Sequence, residues 1–255
     1  MADTYSHYSR IVENYRRYRP RYPQQLVEWL RAECGLAPGH VVADVGAGTG
    51  QLAELFLQNG QRVYAVEPNQ EMLAAAEQEL RAYPAFSGVA APAEATTLPD
   101  ASVDFVVVGN AFHWFDHGQV RREFARLLRP DGWVVLLWNL ERNNGTPFAA
   151  AFEQVWRSYI DPAARFATSS ERTLPGYLTD FFGAGNLRQA SFDNRQVCDF
   201  AALKGLMLSF LKAPQPGDPH HEAMLADLDT LFATYQQNGA VTLEYDTTVV
   251  YGRLK

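Results

Sequence analysis

Residues 41–50 read Val-Val-Ala-Asp-Val-Gly-Ala-Gly-Thr-Gly, and no other stretch narrows the choice of fold as sharply. Four of the first five side chains are small or β-branched and apolar, the pattern of a short strand buried on both faces. Three alternate glycines follow at once, so the chain must leave the strand through a tight turn and enter a helix near Gln51. Alternate glycines strip side chains from one wall of that turn. The spacing therefore predicts a ligand approaching main-chain amides, with the positive end of the following helix turned toward it.

The ligand is constrained by what surrounds the turn. A dinucleotide fingerprint requires Gly-x-Gly-x-x-Gly, and here the third glycine comes one residue early, at Gly50. The acid just before the turn, Asp44, would repel a pyrophosphate but suits an ammonium group. The stretch Gly60 to Glu67 reads as a second strand ending in an acid, and a carboxylate at a strand tip can accept hydrogen bonds from both hydroxyls of a ribose. A cationic, amino-acid-like ligand fits these residues better than NAD.

The pattern resembles the class I S-adenosylmethionine-dependent methyltransferases. It is carried by Asp44, Gly46, Gly48 and Gly50, by Glu67, by Ala93 to Pro99 ahead of a strand at Asp104 to Gly109, and by Leu127 to Gly132 leading into Trp133 to Trp138. The resemblance is close over residues 10–140 and holds only in outline beyond. It implies an α/β fold: a Rossmann-like seven-stranded, mostly parallel sheet with helices on both faces and a helical cap, the last strand lying antiparallel between strands five and six. It also implies S-adenosylmethionine as cofactor, S-adenosylhomocysteine as product, and a cofactor site formed by Asp44, Gly46, Ala47, Gly48, Gly50, Glu67, Pro68, Met72, Ala93, Glu94 and Asn110. Relatives often carry an acidic or polar side chain where this chain has Pro92, which leaves the contact there to the amide of Ala93 or Glu94.

The amino-terminal stretch places tyrosines at Tyr5, Tyr8, Tyr15, Tyr18 and Tyr22 among arginines. At roughly helical spacing the first four lie near one face, as an aromatic packing surface or as a lid over residues 1–22. By resemblance Arg19 is the candidate for the cofactor carboxylate, which a guanidinium can hold with two parallel bonds. After strand four comes Asn110-Ala111-Phe112-His113-Trp114-Phe115-Asp116. The motif with which nucleobase amino-methyltransferases hold a flipped base is absent here. The stretch instead resembles the trans-aconitate and cantharidic-acid-type enzymes, which act on small organic acids. It makes His113 a candidate catalytic base or orienting group, and His113, Trp114 and Asn139 candidate substrate residues. Asn143 follows on the same rim.

The charge of −7 works against a broad phosphate-binding face, so nucleic acid is not expected as a partner. The chain has two cysteines, Cys34 and Cys198, no apolar run long enough for a membrane span, and an amino terminus unlike a signal peptide. A reduced, cytoplasmic protein is expected, with oligomeric state left open. His113 and His117 stand four apart, but a metal site would need further ligands, so none is expected.

Local signals predict helices over 23–33, from Gln51 to Asn59, from Pro68 to about Leu80, over His117–Leu128, and over 147–160, 199–211 and 219–236. Strands are predicted at 89–91, 104–109, 133–138, 186–192 and 241–254. Arg121, Arg122 and Arg126 are expected to be solvated, Cys34 buried, and His220-His221 on the surface. Cap segments are expected at about 141–185 and 199–238, with Phe166, Tyr177, Phe210 and Lys212 as candidate pocket residues. Two other classes remain compatible with the sequence: a catalytically silent S-adenosylmethionine-binding regulator and, against the glycine spacing, a nucleotide-cofactor oxidoreductase.

Overall fold

The structure, a computed structural model, describes residues 11–142, 146–160 and 176–254. Tyr5, Tyr8, Asn143 and Phe166 lie outside the described residues. The chain divides into two compact units: Met1–Pro20 with Leu140–Arg172 and Asp193–Asp246, and Arg21–Asn139 with Thr173–Phe192 and Thr247–Lys255.

The sheet has seven strands in the order β3-β2-β1-β4-β5-β7-β6. They are β1 (Val41–Val45), β2 (Arg62–Val66), β3 (Phe86–Val89), β4 (Val103–Gly109), β5 (Leu128–Glu141), β6 (Arg188–Cys198) and β7 (Val241–Gly252). The ladders joining β3, β2, β1, β4 and β5 are all parallel. β1 is central because its residues can be buried on both faces: Val42, Ala43 and Val45 have no exposed surface. Strand order reverses between β1 and β4, so the carboxyl ends of these two strands flank the switch point where open α/β sheets bind ligands.

In the second unit, α2 (Gln25–Cys34), α3 (Gln51–Gln58), α4 (Gln70–Leu80), α5 (His117–Leu127) and α7 (Gly176–Phe182) accompany the sheet. Their apolar faces supply Leu26, Leu30, Phe56 and Leu80 to a core shared with Val63, Phe105, Val107 and Val135. Two starts are set by local chemistry. Asn69 Oδ1 accepts the Met72 amide and Asp116 Oδ1 the Gln119 amide, each a side-chain cap on an orphan donor. α7 belongs to this unit, where the sequence reading carries a cap segment to residue 185; Phe181 packs on Phe112 and Phe124.

The first unit has its own core. Residues 11–18 are helical (α1), and α6 (Pro147–Tyr159), α8 (Phe200–Leu208) and α9 (His221–Tyr235) bury Phe152, Leu203, Leu206, Met224 and Leu228 together. The Tyr18 ring lies on the backbone of Gly205, where any Cβ would collide with it.

Several details depart from the sequence reading. β3 covers Phe86–Val89 and not 89–91, because its ladder to β2 pairs Phe86 with Val63 and Val89 with Val66, after which Pro92 cannot continue it. β5 begins at Leu128, ahead of the predicted 133, and a register break opposite Val103 and Phe105 absorbs the four intervening residues, with Asp131 left-handed at φ 68°. β6 runs on to Cys198. Arg126 is not simply solvated: it donates to Glu123, to Asp100 and to the Leu98 carbonyl at 2.7 Å, while Arg121 Nε donates to the Phe181 carbonyl at 2.8 Å. His221 is buried, its Nδ1 2.9 Å from the Pro214 carbonyl. Cys34 is half-buried, and burial pushes its thiol up to about 12 and that of Cys198 to about 11, so neither is a nucleophile at neutral pH. No helix among the described residues is long and apolar enough to cross a membrane.

Candidate functional site

The glycine turn runs from the end of β1 to the start of α3, all within the second unit. Gly46, Gly48 and Gly50 are left-handed, at φ 71°, 56° and 83°, a conformation costly to side-chain-bearing residues. Four of the turn's amides are already committed. Gly46 and Ala47 both donate to the Val66 carbonyl, at 2.8 and 3.1 Å, Gly50 donates to the Ala47 carbonyl at 2.9 Å, and Gly48 donates to Glu67 Oε2 at 2.9 Å. This corrects the expectation that these amides hold the ligand. The turn offers a wall without side chains, flanked by carboxylates. With those four donors spent and carboxylates on either side, the wall is poorly suited to a pyrophosphate.

Asp44 supplies the charge. It is 1% exposed, and neither carboxylate oxygen has a hydrogen-bond partner among the described residues. Burial pushes its pKa up to about 7; the Ala53 amide opposes this without closing a bond of normal geometry, and the nearby Glu67 charge adds to it. A buried carboxylate with no donor is costly unless a ligand brings one. Glu67 lies at the tip of β2 and is also buried, which raises its pKa. Its Oε1 accepts the Asn69 amide and its Oε2 the Gly48 amide, each at 2.9 Å, and the two bonds work against that rise. Each oxygen keeps acceptor capacity for a further donor.

The remaining predicted cofactor residues in this unit fall around the same strand ends. Pro68 follows Glu67, and Met72 and Ala93 are buried. The Glu94 carboxylate accepts the Asp116 amide at 3.0 Å, joining the segment after β3 to the loop after β4. Asn110, left-handed at φ 53°, donates from Nδ2 to the Tyr22 hydroxyl at 3.0 Å and accepts the Asn139 amide on Oδ1 at 3.2 Å. Asn139 in turn accepts from Thr247 Oγ1 at 2.6 Å.

The loop after β4 closes on the turn. A Cβ at Gly46 would stand 2.7 Å from Ala111 Cβ and 3.1 Å from the Phe115 ring. Within that loop Phe112 is buried, both ring nitrogens of His113 are buried, and Trp114 is 45% exposed, its ring centre 5.1 Å from that of His113. His117 is stacked between Phe112 and Tyr177, at 4.8 and 4.3 Å, and so belongs to an aromatic column.

Arg19 belongs to the first unit, where its guanidinium lies over Phe210 and Tyr15 and its Nη2 donates to the Ser209 carbonyl at 3.0 Å. Tyr177 and Phe210 fall in different units. Sequence reasoning passed over Tyr22, Thr247 and Glu123. Tyr22 stood in the quoted tyrosine series, but nothing local in the sequence marks the other two.

A doubly wound sheet with a buried acid before a glycine turn, a second acid at the next strand tip and four of the turn's amides spent internally defines a protein of the Rossmann-like class. Residues 43–136 match the methyltransferase domain model. An uncharacterised methyltransferase of Schizosaccharomyces pombe is 29% identical over 224 residues, covering 88% of this chain and 86% of that one. An uncharacterised methyltransferase of Mycobacterium tuberculosis is 41% identical over 128 residues, half of each chain. Among solved structures, a candidate type II methyltransferase from Anaeromyxobacter dehalogenans superposes with TM-score 0.70 at 24% identity, over 92% of this chain and 98% of that one. The [4+2]-cyclase SpnF shares the fold at TM-score 0.50 and 18% identity, over 91% and 82%. Residues 43–136 thus form a methyltransferase domain, and the fold is that of the S-adenosylmethionine-dependent methyltransferases, whose cofactor is S-adenosylmethionine.

Proposed function

We propose that this methyltransferase acts on a small-molecule acceptor, at the oxygen of a carboxylate or hydroxyl. The observation that carries this reading is the contact of Ala111 and Phe115 with Gly46, because it sets the His113-Trp114 loop directly against the turn assigned to the methyl donor. An acceptor approaching that turn meets an exposed indole with the more buried imidazole of His113 beside it, which suits a compact, partly apolar molecule. The net charge of −7 supports the same choice over a nucleic acid.

Asp44 and Glu67 are the residues we assign to the cofactor's cationic and ribose groups, with Gly46, Ala47, Gly48 and Gly50 forming the bare wall and Pro68, Met72, Ala93, Glu94 and Asn110 its surround. The bound cofactor supplies a sulfonium methyl group that is displaced in line. The chain's own residues therefore have to align an acceptor oxygen and exclude water. His113 orients a carboxylate or takes the proton of a hydroxyl, and Trp114 and Asn139 complete the acceptor side. The likeness of residues 110–116 to the trans-aconitate-type loop favours an organic acid. A cytoplasmic location is consistent with the composition.

Incubation with tritiated S-adenosylmethionine and a metabolite extract tests this. Label in the low-molecular-weight, base-labile or ether fraction is expected. Label confined to protein or nucleic acid would refute a small acceptor.

A further inference from the structure

Tyr22 and Thr247 are joined to the loop after β4 by an unbroken hydrogen-bond path inside the second unit. Thr247 is fully buried, and its hydroxyl donates to Asn139 Oδ1 at 2.6 Å. That bond sets the Asn139 amide so that its Nδ2 faces the Arg21 carbonyl at 3.4 Å. The Asn139 backbone N–H donates to Asn110 Oδ1, and Asn110 Nδ2 donates to the Tyr22 hydroxyl. The hydroxyl can sit there because residue 109 is glycine: a Cβ on Gly109 would collide with the Tyr22 oxygen and stand 3.1 Å from its ring.

Asn110 is where the path meets the site. It holds a left-handed backbone at φ 53°, a region that asparagine tolerates better than most residues, and three bonds fix it there: its amide to the Leu137 carbonyl at 2.8 Å and the two side-chain bonds above. The next residue is Ala111, whose Cβ abuts Gly46, and the same loop carries His113 and Trp114. The direction of the chain at Asn110 thus decides where that loop meets the glycine turn. Three of the polar partners, Arg21, Asn139 and Thr247, are also the residues at which the chain enters or leaves the second unit.

We propose that Tyr22 and Thr247 are positioning residues for the methyl-transfer site, acting through Asn110 and Asn139 to set the loop that closes on Gly46. This deepens the function proposed above and rests on that assignment of the turn. Thr247→Val and Tyr22→Phe remove one hydroxyl each and keep the packing volume. Both are expected to weaken S-adenosylhomocysteine binding about tenfold and to raise acrylamide quenching of Trp114, read as the difference from a Trp114→Phe background. Thr247→Ser is expected to restore both. Gly109→Ala should weaken binding in the same way, and adding Tyr22→Phe to it should recover part of the loss, since the colliding oxygen is gone.

Unchanged Trp114 quenching in both hydroxyl deletions would overturn the proposal, as would a Thr247→Ser variant no better than Thr247→Val. If Thr247→Val does not fold, Tyr22→Phe carries the same decision. A wild-type protein that ignores S-adenosylhomocysteine would sink the reading of the turn, while the quenching measurement, which needs no ligand, still decides whether these hydroxyls set the loop.

Discussion

Glu67 and Gly48 are joined by a hydrogen bond of 2.9 Å, from the glycine amide to the carboxylate at the tip of β2. The acid that the sequence marks as a ribose acceptor thus also holds the glycine turn in shape. A second amide, from Asn69, takes its other oxygen. Glu67→Gln must present an NH2 group to one of those two donors. It is expected to weaken S-adenosylhomocysteine binding by about 10- to 100-fold and to lower stability by ~1–3 kcal/mol. Calorimetry and urea unfolding of one preparation test both numbers.

Gly46→Ala separates the turn from the scaffold. The added methyl would meet Ala111 Cβ at 2.7 Å and must adopt φ 71°. The loop after β4 has to move, so binding of S-adenosylmethionine is expected to fall at least about tenfold, with a stability loss of ~1–3 kcal/mol. A variant that binds as tightly as wild type would show that the loop contact is irrelevant to the site.

Asp44 makes the protein pH-sensitive. Its pKa rises from 3.8 unfolded to about 7 folded, so between those values the folded chain holds a proton that the unfolded chain has released. Stability contributed by this group therefore falls as pH climbs from about 4 to about 7 and is level above. Asp44→Asn removes the effect. Its melting temperature should exceed wild type by about 5 °C or more at pH 8, with the gap closing toward pH 4, while cofactor binding is lost. A gap that is the same at pH 5 and pH 8 would contradict this.

His113→Ala discriminates between acceptors once one is found. A roughly 10- to 100-fold fall in kcat is expected if the ring orients a carboxylate, and about a thousandfold or more if it removes a hydroxyl proton. A rate equal to wild type would take His113 out of the chemistry.

Glu123 is a structural counterpart, 9% exposed, accepting the Thr96 amide at 2.8 Å, its hydroxyl at 2.6 Å, and Arg126. Burial pushes its carboxyl pKa up, but the bonds from Arg126 and Thr96 outweigh this and the net shift is downward. Its contribution is therefore present above the unfolded value of about 4.5 and lost as pH falls below it. Glu123→Ala is expected to cost ~2–4 kcal/mol at pH 7 and distinctly less at pH 3.5, measured as the separation of urea midpoints.

What the sequence determined by itself was local. The strand, glycine turn and helix at 41–58, the acid at the tip of β2, and the caps Asn69 and Asp116 all follow from residues within a few positions of one another, where backbone conformation and side-chain reach decide the outcome. Tertiary structure decided the partners. Thr247 and Asn139 are 108 residues apart, and Tyr22 and Asn110 are 88 apart. No periodicity marks such pairs, because each bond exists only after the sheet has set its strand order. The same holds for the amides of the turn. The glycines announce a surface that a ligand can approach, but that the amides of Gly46, Ala47 and Gly48 are spent on Val66 and Glu67 follows only from how β2 lies beside β1.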